Sequence, residues 1–478
     1  MPNRATPATA GEVFPFYGKR SPEVVLRTRL AQFRDAIDGF ARRYPARLAM
    51  LVFALIIFIV TLLLLLPIST VGPGSASFME ALFTATSAVC VTGLTVVPMA
   101  TYWTPFGHFI IALGVQIGGL GVMTLASLLG LMVSRHIGLT QRILTATETK
   151  ARLGDVGSLL RAVVLTSVIA ESILAVLFLP SITRLEGSFL SALGHSIFMS
   201  LSTFNNAGFV ILSDGIAPQV GNWAIGLPII FGTIAGAIGF PVILNISRNL
   251  RSPRRWALHT KLTLVGYFAI WVGTVIFFGA LEWNNPNTLG ALSGDDRILA
   301  TLVHSTTPRS SGLATLDVGA MHESTWFLMD MLMFVGGGSA STGGGIKVST
   351  FLVLLLAILA EARGDRDAEA FGKRIPPDVI RLAISATFLG VFLVTSATLA
   401  MLVLTDFPLS KVLLDTISAF ATCGLSTGIT PELPSSAQVI LVLLMYLGRV
   451  GTMTMAAALA LRNRRRVISF PEERPIIG

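Results

Sequence analysis

The chain alternates long apolar runs with short polar, glycine-marked breaks, and the run lengths set its architecture. Eight runs, at roughly 48–67, 104–133, 158–181, 222–246, 262–281, 325–358, 378–405 and 436–461, reach the ~20 residues an α-helix needs to cross a hydrocarbon core. Within each successive pair lies a shorter segment, such as 78–87 or 411–418, about ten residues long and unable to cross. Each unit therefore reads as span, half-helix, loop, span, the half-helix entering the membrane and the chain returning on extended backbone.

The loop after each half-helix carries one signature. SAVCVTGL (87–94) recurs as STFNNAGF (202–209), TTPRSSGL (306–313) and SAFATCGL (418–425). Ser or Thr opens each stretch, and six positions later stands a glycine: Gly93, Gly208, Gly312 or Gly424. Successive glycines are 115, 104 and 112 residues apart (208−93, 312−208, 424−312), so one unit repeats four times over most of the chain. Two spans per unit give every unit the same orientation, whereas an inverted repeat needs an odd number. Four units can then surround one axis with their glycine loops on the outer side.

Extended backbone at membrane depth survives only where protein buries it or where it lines a water-filled path. Four such loops around an axis present rings of carbonyl oxygens that can replace the hydration shell of a monovalent cation. The half-helix C-termini add partial negative charge there, and glycine supplies both backbone freedom and room. Close helix packing also uses glycine, but it does not ask for one offset four times.

Composition agrees with this reading. The chain of 478 residues is 53% hydrophobic and 13% charged, with mean hydropathy +0.74, against about 25% charged residues in soluble domains. The net charge of +9 does not call for nucleic acid, because 29 of the 35 Lys and Arg fall in 1–47, 134–161, 247–261, 360–381 and 462–474, between or beyond the spans. That distribution follows the positive-inside rule and puts both termini in the cytoplasm. Residues 1–47 form a basic arm in which Val24 to Phe40 is either a helix lying on the membrane or a loose segment. Cys90 and Cys423 both lie in glycine stretches, too few for a thiolate metal site, and read as small packing side chains rather than a disulfide.

The run 325–358 is interrupted by Gly336, Gly337, Gly338, Ser339, Ala340, Ser341, Thr342, Gly343, Gly344 and Gly345. A phosphate-cradling loop would need a preceding strand, which is absent from the pattern. The remaining alternatives are a kinked helix, or a helix unwound beneath the glycine loops whose small polar segment blocks the path. Lys347 and Arg449 stand within spans, where a charge costs roughly 3 kcal/mol or more and marks a pathway or a partner. Arg449 would reach the axis and donate to groups around Ser339 to Thr342; Lys347 either snorkels to the inner surface or joins the gate. Glu80 and Asp415 read as helix caps or cation attractors, and His108, His195 and His304 as packing residues. Glu171 has no partner visible in the sequence. No nucleophilic triad, HExxH or paired-carboxylate arrangement points to an enzyme.

These residues resemble the superfamily of potassium transporters that comprises KtrB, TrkH and the plant HKT proteins, over residues 48–478. GGGSASTGGGIK (336–347) is similar to the intramembrane loop of that family, LGRVGTMT (447–454) to its last-span motif, and the terminal PEERPIIG to the KtrB tail. The resemblance implies an all-α membrane protein of four M1–P–M2 repeats, with eight transmembrane helices and four re-entrant pore half-helices around a pseudo-fourfold central pore. The repeats would occupy 48–133, 158–246, 262–358 and 378–461, between the basic arm and a cytoplasmic tail at 462–478. It implies a potassium filter built from the backbone of Thr92, Gly93, Ala207, Gly208, Ser311, Gly312, Cys423 and Gly424. The gate would comprise residues 336–345, Lys347 and Arg449. Sodium-favouring plant members carry serine at the first filter glycine, so Gly93 implies potassium. Arg309 in the third loop would point behind the filter, and Asn205 and Asn206 either brace the second loop or line the path. A homodimer in the plasma membrane and a KtrA-type cytoplasmic nucleotide-binding ring are implied as partners, with potassium as the transported ion and sodium as a candidate activator. The rival readings are a sodium-selective or sodium-coupled member of the same fold, a metabolite carrier and a membrane scaffold.

Overall fold

Helix length separates two kinds of element in this computed structural model, which describes residues 45–135 and 156–451. The readings made for the N-terminal arm, the basic segment 136–155, the end of the last apolar run and the C-terminal tail lie outside the described residues. The described residues from 49 onward lie in one unit, to which the packing described below belongs.

The long helices are α1 (Pro45–Leu64), α3 (Pro105–Arg135), α4 (Val156–Glu186), α8 (Leu258–Glu282) and α12 (Pro377–Leu404). These five are long and apolar enough to cross a membrane. Their outward faces are apolar: Phe388 on α12 is 73% exposed and Ile276 on α8 63%. Outward apolar surface of this kind suits lipid and would aggregate in water.

Four short helices lie inside this wall: α2 (Phe78–Val89), α5 (Phe189–Phe204), α9 (Gly294–Thr306) and α13 (Leu409–Ala421). At 1.5 Å per residue they reach only ~18–24 Å, less than the ~30 Å hydrocarbon thickness. Their C-terminal halves are buried; Leu414 to Ala421 of α13 are buried throughout. The start of α2 is fixed by a capping box, in which Ser77 Oγ accepts from the Glu80 N–H and Glu80 Oε2 accepts from the Ser77 N–H. The Tyr102 hydroxyl also donates to Glu80 Oε2 at 2.8 Å, so this carboxylate is a cap.

Three of the expected spans are interrupted. The run 325–358 divides into α10 (Glu323–Phe334) and α11 (Val348–Arg363) around the glycine-rich loop. The run 222–246, expected as one helix, is α6 (Trp223–Ile238) and α7 (Phe240–Arg248), bent by 92° at Gly239. Gly239 has φ +96°, a value only glycine adopts readily, and Pro241 sits in the first turn of the new helix, where its missing N–H costs nothing. The last run begins as α14 (Ser435–Tyr446) and passes into a π-helical turn at Leu447–Gly451 that carries Arg449. The element order is consistent with four span, half-helix, span units, and the long helices with the short ones behind them frame a centre.

Candidate functional site

At that centre the four signature glycines are neighbours. A Cβ placed on Gly93 would collide with the carbonyl oxygen of Ala207; one on Gly208 with that of Ser311; on Gly312 with that of Cys423; and on Gly424 with that of Thr92. The contacts close a ring in chain order, first to second, second to third, third to fourth and fourth to first. All four glycines have positive φ, +93°, +73°, +61° and +100° in chain order. Each is partly exposed while the residues on either side of it are buried. The ring therefore holds the carbonyls of Thr92, Ala207, Ser311 and Cys423 against glycine Cα atoms that border open space.

The six-residue spacing has a local cause. The hydroxyls of Ser87 and Ser418 accept from the N–H groups of Gly93 and Gly424, each at 3.0 Å. The backbone carbonyls of Ser87, Ser202 and Ser418 accept from Thr92, Ala207 and Cys423 at 2.7, 2.7 and 2.9 Å. Val91, Asn206 and Thr422, two positions before their glycines, share a left-handed conformation. The third loop departs: beside Pro308 the bonding shifts so that the Thr307 carbonyl accepts from the N–H groups of Ser310, Ser311 and Gly312.

Two loops are braced from behind by buried charge. Arg309, 1% exposed, donates from Nη1 to the Tyr267 carbonyl at 2.7 Å, with its guanidinium 3.6 Å from the Tyr267 ring centre. It therefore faces α8. In the second loop the two asparagines face different partners. Asn205 Nδ2 donates to Gln116 Oε1 of α3 at 2.8 Å and Glu171 Oε1 of α4 at 3.0 Å, while Gln116 Nε2 donates to Glu171 Oε2 at 3.0 Å. Both carboxylate oxygens of Glu171, 7% exposed, are thereby satisfied. Leucine at Glu171 leaves the Gln116 amide N–H facing carbon, at ~1–3 kcal/mol for a buried donor left unpaired, while Asn205 keeps Gln116 Oε1 and the Leu201 carbonyl as acceptors. The expected outcome is a lower unfolding temperature in detergent together with weaker discrimination between cations, read by thermal unfolding and flux.

The loop 336–345 lies against the underside of three glycine loops. Its neck is closed by Gly336 N–H to the Ile346 carbonyl at 2.8 Å and Ile346 N–H to the Phe334 carbonyl at 3.2 Å. Its crown is Thr342, Gly343 and Gly344. Asn206 Nδ2 donates to Thr342 Oγ1 at 2.7 Å, a Cβ on Gly343 would stand 2.6 Å from Ser310 Oγ, and one on Gly344 would collide with Thr422 Oγ1. A side chain at 344 would also meet the Ala421 carbonyl at 2.6 Å, which cannot rotate away, whereas one at 343 would displace the Ser310 hydroxyl. Two cations hold the crown from other elements: Arg449 Nη1 donates to the Thr342 carbonyl, and Lys347 Nζ to the carbonyls of Gly343 and Gly344. Lys347 folds back on the loop and does not snorkel away from it. Ser339 Oγ pairs with Ser349 Oγ at 2.8 Å, and the loop is tied to the α6–α7 break by Gly338 N–H to Ala237 carbonyl at 2.7 Å and Phe240 N–H to Ala340 carbonyl at 3.2 Å.

The other polar residues have structural roles. Asp415 accepts from Ser426, Thr430 and the Thr427 N–H, holding the segment that leaves the fourth loop. His304 Nε2 accepts from the N–H groups of Thr315 and Leu316 in the third. His195 pairs with Glu186 at 2.8 Å, and His108 bonds the Met99 carbonyl. Cys90 and Cys423 are free and buried. Sequence reasoning did not single out Gln116, Tyr267 or the Gly239 break; only the last had a local signal, a glycine two residues before a proline.

Comparison with known proteins follows this geometry. The TrkH family profile, described as cation transport protein, matches residues 25–465. The chain is 36% identical over 446 residues to the Ktr system potassium uptake protein B of Bacillus subtilis (strain 168), covering 93% of this chain and 99% of that protein. It is 32% identical over 448 residues to the potassium/sodium uptake protein NtpJ of Enterococcus hirae, covering 91% and 98%. The crystal structure of the potassium transporter TrkH from Vibrio parahaemolyticus shares the fold, with a TM-score of 0.68 over 86% of this chain and 83% of that one at 17% identity. The chain belongs to the TrkH family of cation transport proteins, integral membrane ion transporters rather than enzymes.

Proposed function

We propose that this chain is the potassium-translocating subunit of a plasma-membrane uptake system, with both termini in the cytoplasm. The closed ring of Gly93, Gly208, Gly312 and Gly424 carries this reading. Carbonyls at and beside the ring, from Thr92 and Gly93, Ala207 and Gly208, Ser311 and Gly312, and Cys423 and Gly424, replace the water shell of potassium. The four repeats are 48–133, 158–246, 262–358 and 378–461.

Residues 336–345 are the gate. Their crown fills the space beneath the filter, and Lys347 and Arg449 place two positive charges where a cation would pass, in surroundings of low dielectric. Two copies form a homodimer, and a KtrA-type nucleotide-binding ring on the cytoplasmic side moves the gate, as the naming of the Ktr relatives as parts of a system supports. A second reading, sodium as co-transported or activating ion, is favoured by the potassium/sodium description of the Enterococcus relative. Expression in cells stripped of their own potassium uptake tests the first reading: growth at low potassium supports it, and growth restored only when sodium is supplied selects the second.

A further inference from the structure

We propose that the turn between α7 and α8 binds the phosphate headgroup of an anionic lipid, and that occupancy is passed along α7 to residues 336–345. Residues 247–261 carry five bases, Arg248, Arg251, Arg254, Arg255 and Lys261, and no acid. Topological bias alone does not require so unmixed a segment: residues 361–381, also between spans, carry five bases and five acids, with Arg374 paired to Asp367 at 2.7 Å. The four arginines of the turn are exposed, and none has an ion pair among the described residues.

The turn is built in advance of any ligand. Trp256 Nε1 donates to the Asn249 carbonyl, the Ala257 N–H to Asn245 Oδ1 and Lys261 Nζ to the Arg254 carbonyl, each at 3.1 Å. Arg248, Arg251, Arg255, Ser247 and Ser252 then line a concavity of about 320 Å³. Guanidinium forks and hydroxyls are the donors that phosphate oxygens require. Depth selects a lipid over a soluble phosphate. The membrane-length α8 begins at Leu258, so the turn stands at the bilayer boundary, and Leu250, 69% exposed among the arginines, offers an apolar anchor that only a lipid uses.

The coupling follows from α7. Its nine residues make a rod of roughly 14 Å. One end is the arginine turn; at the other, Phe240 N–H holds the Ala340 carbonyl, and Gly239 abuts the Ser339 carbonyl. The 92° bend leaves α7 free of the axis of α6, so anchoring its far end sets its tilt and with it the position of the loop.

The flux half of the test rests on the transport reading above; the binding half does not. Full-length protein is assayed for retained phosphatidylglycerol against phosphatidylcholine by native mass spectrometry, and for rubidium flux in liposomes of each composition. The wild type should retain phosphatidylglycerol and pass rubidium at a rate that changes with it. Arg251→Gln with Arg255→Gln should weaken retention by about 30-fold and abolish the flux response, and Leu250→Ala should weaken retention without added inorganic phosphate mattering. Equal retention of the two lipids, an unaltered response in the double variant, or full displacement by inorganic phosphate would each overturn the proposal. Selective retention without rubidium flux in either lipid would count against the transport reading and the coupling, and leave the site standing.

Discussion

Alanine at Gly208 is expected to slow cation passage by about 100-fold while leaving the protein folded and inserted. Its Cβ would collide with the Ser311 carbonyl, which belongs to the next loop of the ring, and the backbone at φ +73° would add strain of ~1–2 kcal/mol. The carbonyl must move, and dehydration of an ion tolerates little movement: losing ~3 kcal/mol of compensation slows passage by about 100-fold. The same collision stands at Gly93, Gly312 and Gly424, so all four substitutions should act alike. Serine at Gly93 should additionally turn preference from potassium toward sodium. Rubidium and sodium uptake, scaled to the protein present in the membrane, read both effects, and an unchanged preference in Gly93→Ser would mean that the filter has been misplaced.

The second large effect has the opposite sign. Arg449→Ala removes the donor to the Thr342 carbonyl and a positive charge that no described carboxylate pairs at salt-bridge distance. At an effective dielectric near 20, a unit charge within several ångströms of the path raises the barrier by ~2 kcal/mol, so its loss should raise flux by about 30-fold in the absence of any regulatory partner. Deleting 338–343 removes the crown itself and should do at least as much. If neither variant leaks more than the wild type, residues 336–345 do not gate the path.

How legible this was depended on the range of each interaction. The six-residue spacing could be read from the chain because its cause is local: the Ser87 and Ser418 hydroxyls accept from glycines within their own loops. The third loop, with Pro308, announced its departure in sequence, and the altered Thr307 bonding is the form that departure takes. That Arg309 turns behind the filter and that an asparagine braces the second loop could be anticipated, but the partners of these braces were not legible. Glu171 meets Gln116 and Asn205 across 55 and 34 residues, and Arg309 meets Tyr267 across 42; apolar periodicity carries no information about such pairs. Asn205 and Asn206 looked equivalent, yet one faces the scaffold and the other the gate loop. The break at Gly239 was hidden for another reason: α6 and α7 together have the length and hydropathy of one span, and the run of apolar residues outweighed the Gly-Phe-Pro signal within it.

The ring of four glycines is a potassium filter or it is not, and uptake of rubidium and sodium by the purified chain in liposomes, with a KtrA-type ring present, decides this most directly. Rubidium should enter faster than sodium by about tenfold or more, a preference of ~1.4 kcal/mol, and the preference should disappear in Gly208→Ala. Equal entry of the two ions, or a preference that survives in Gly208→Ala, would contradict it.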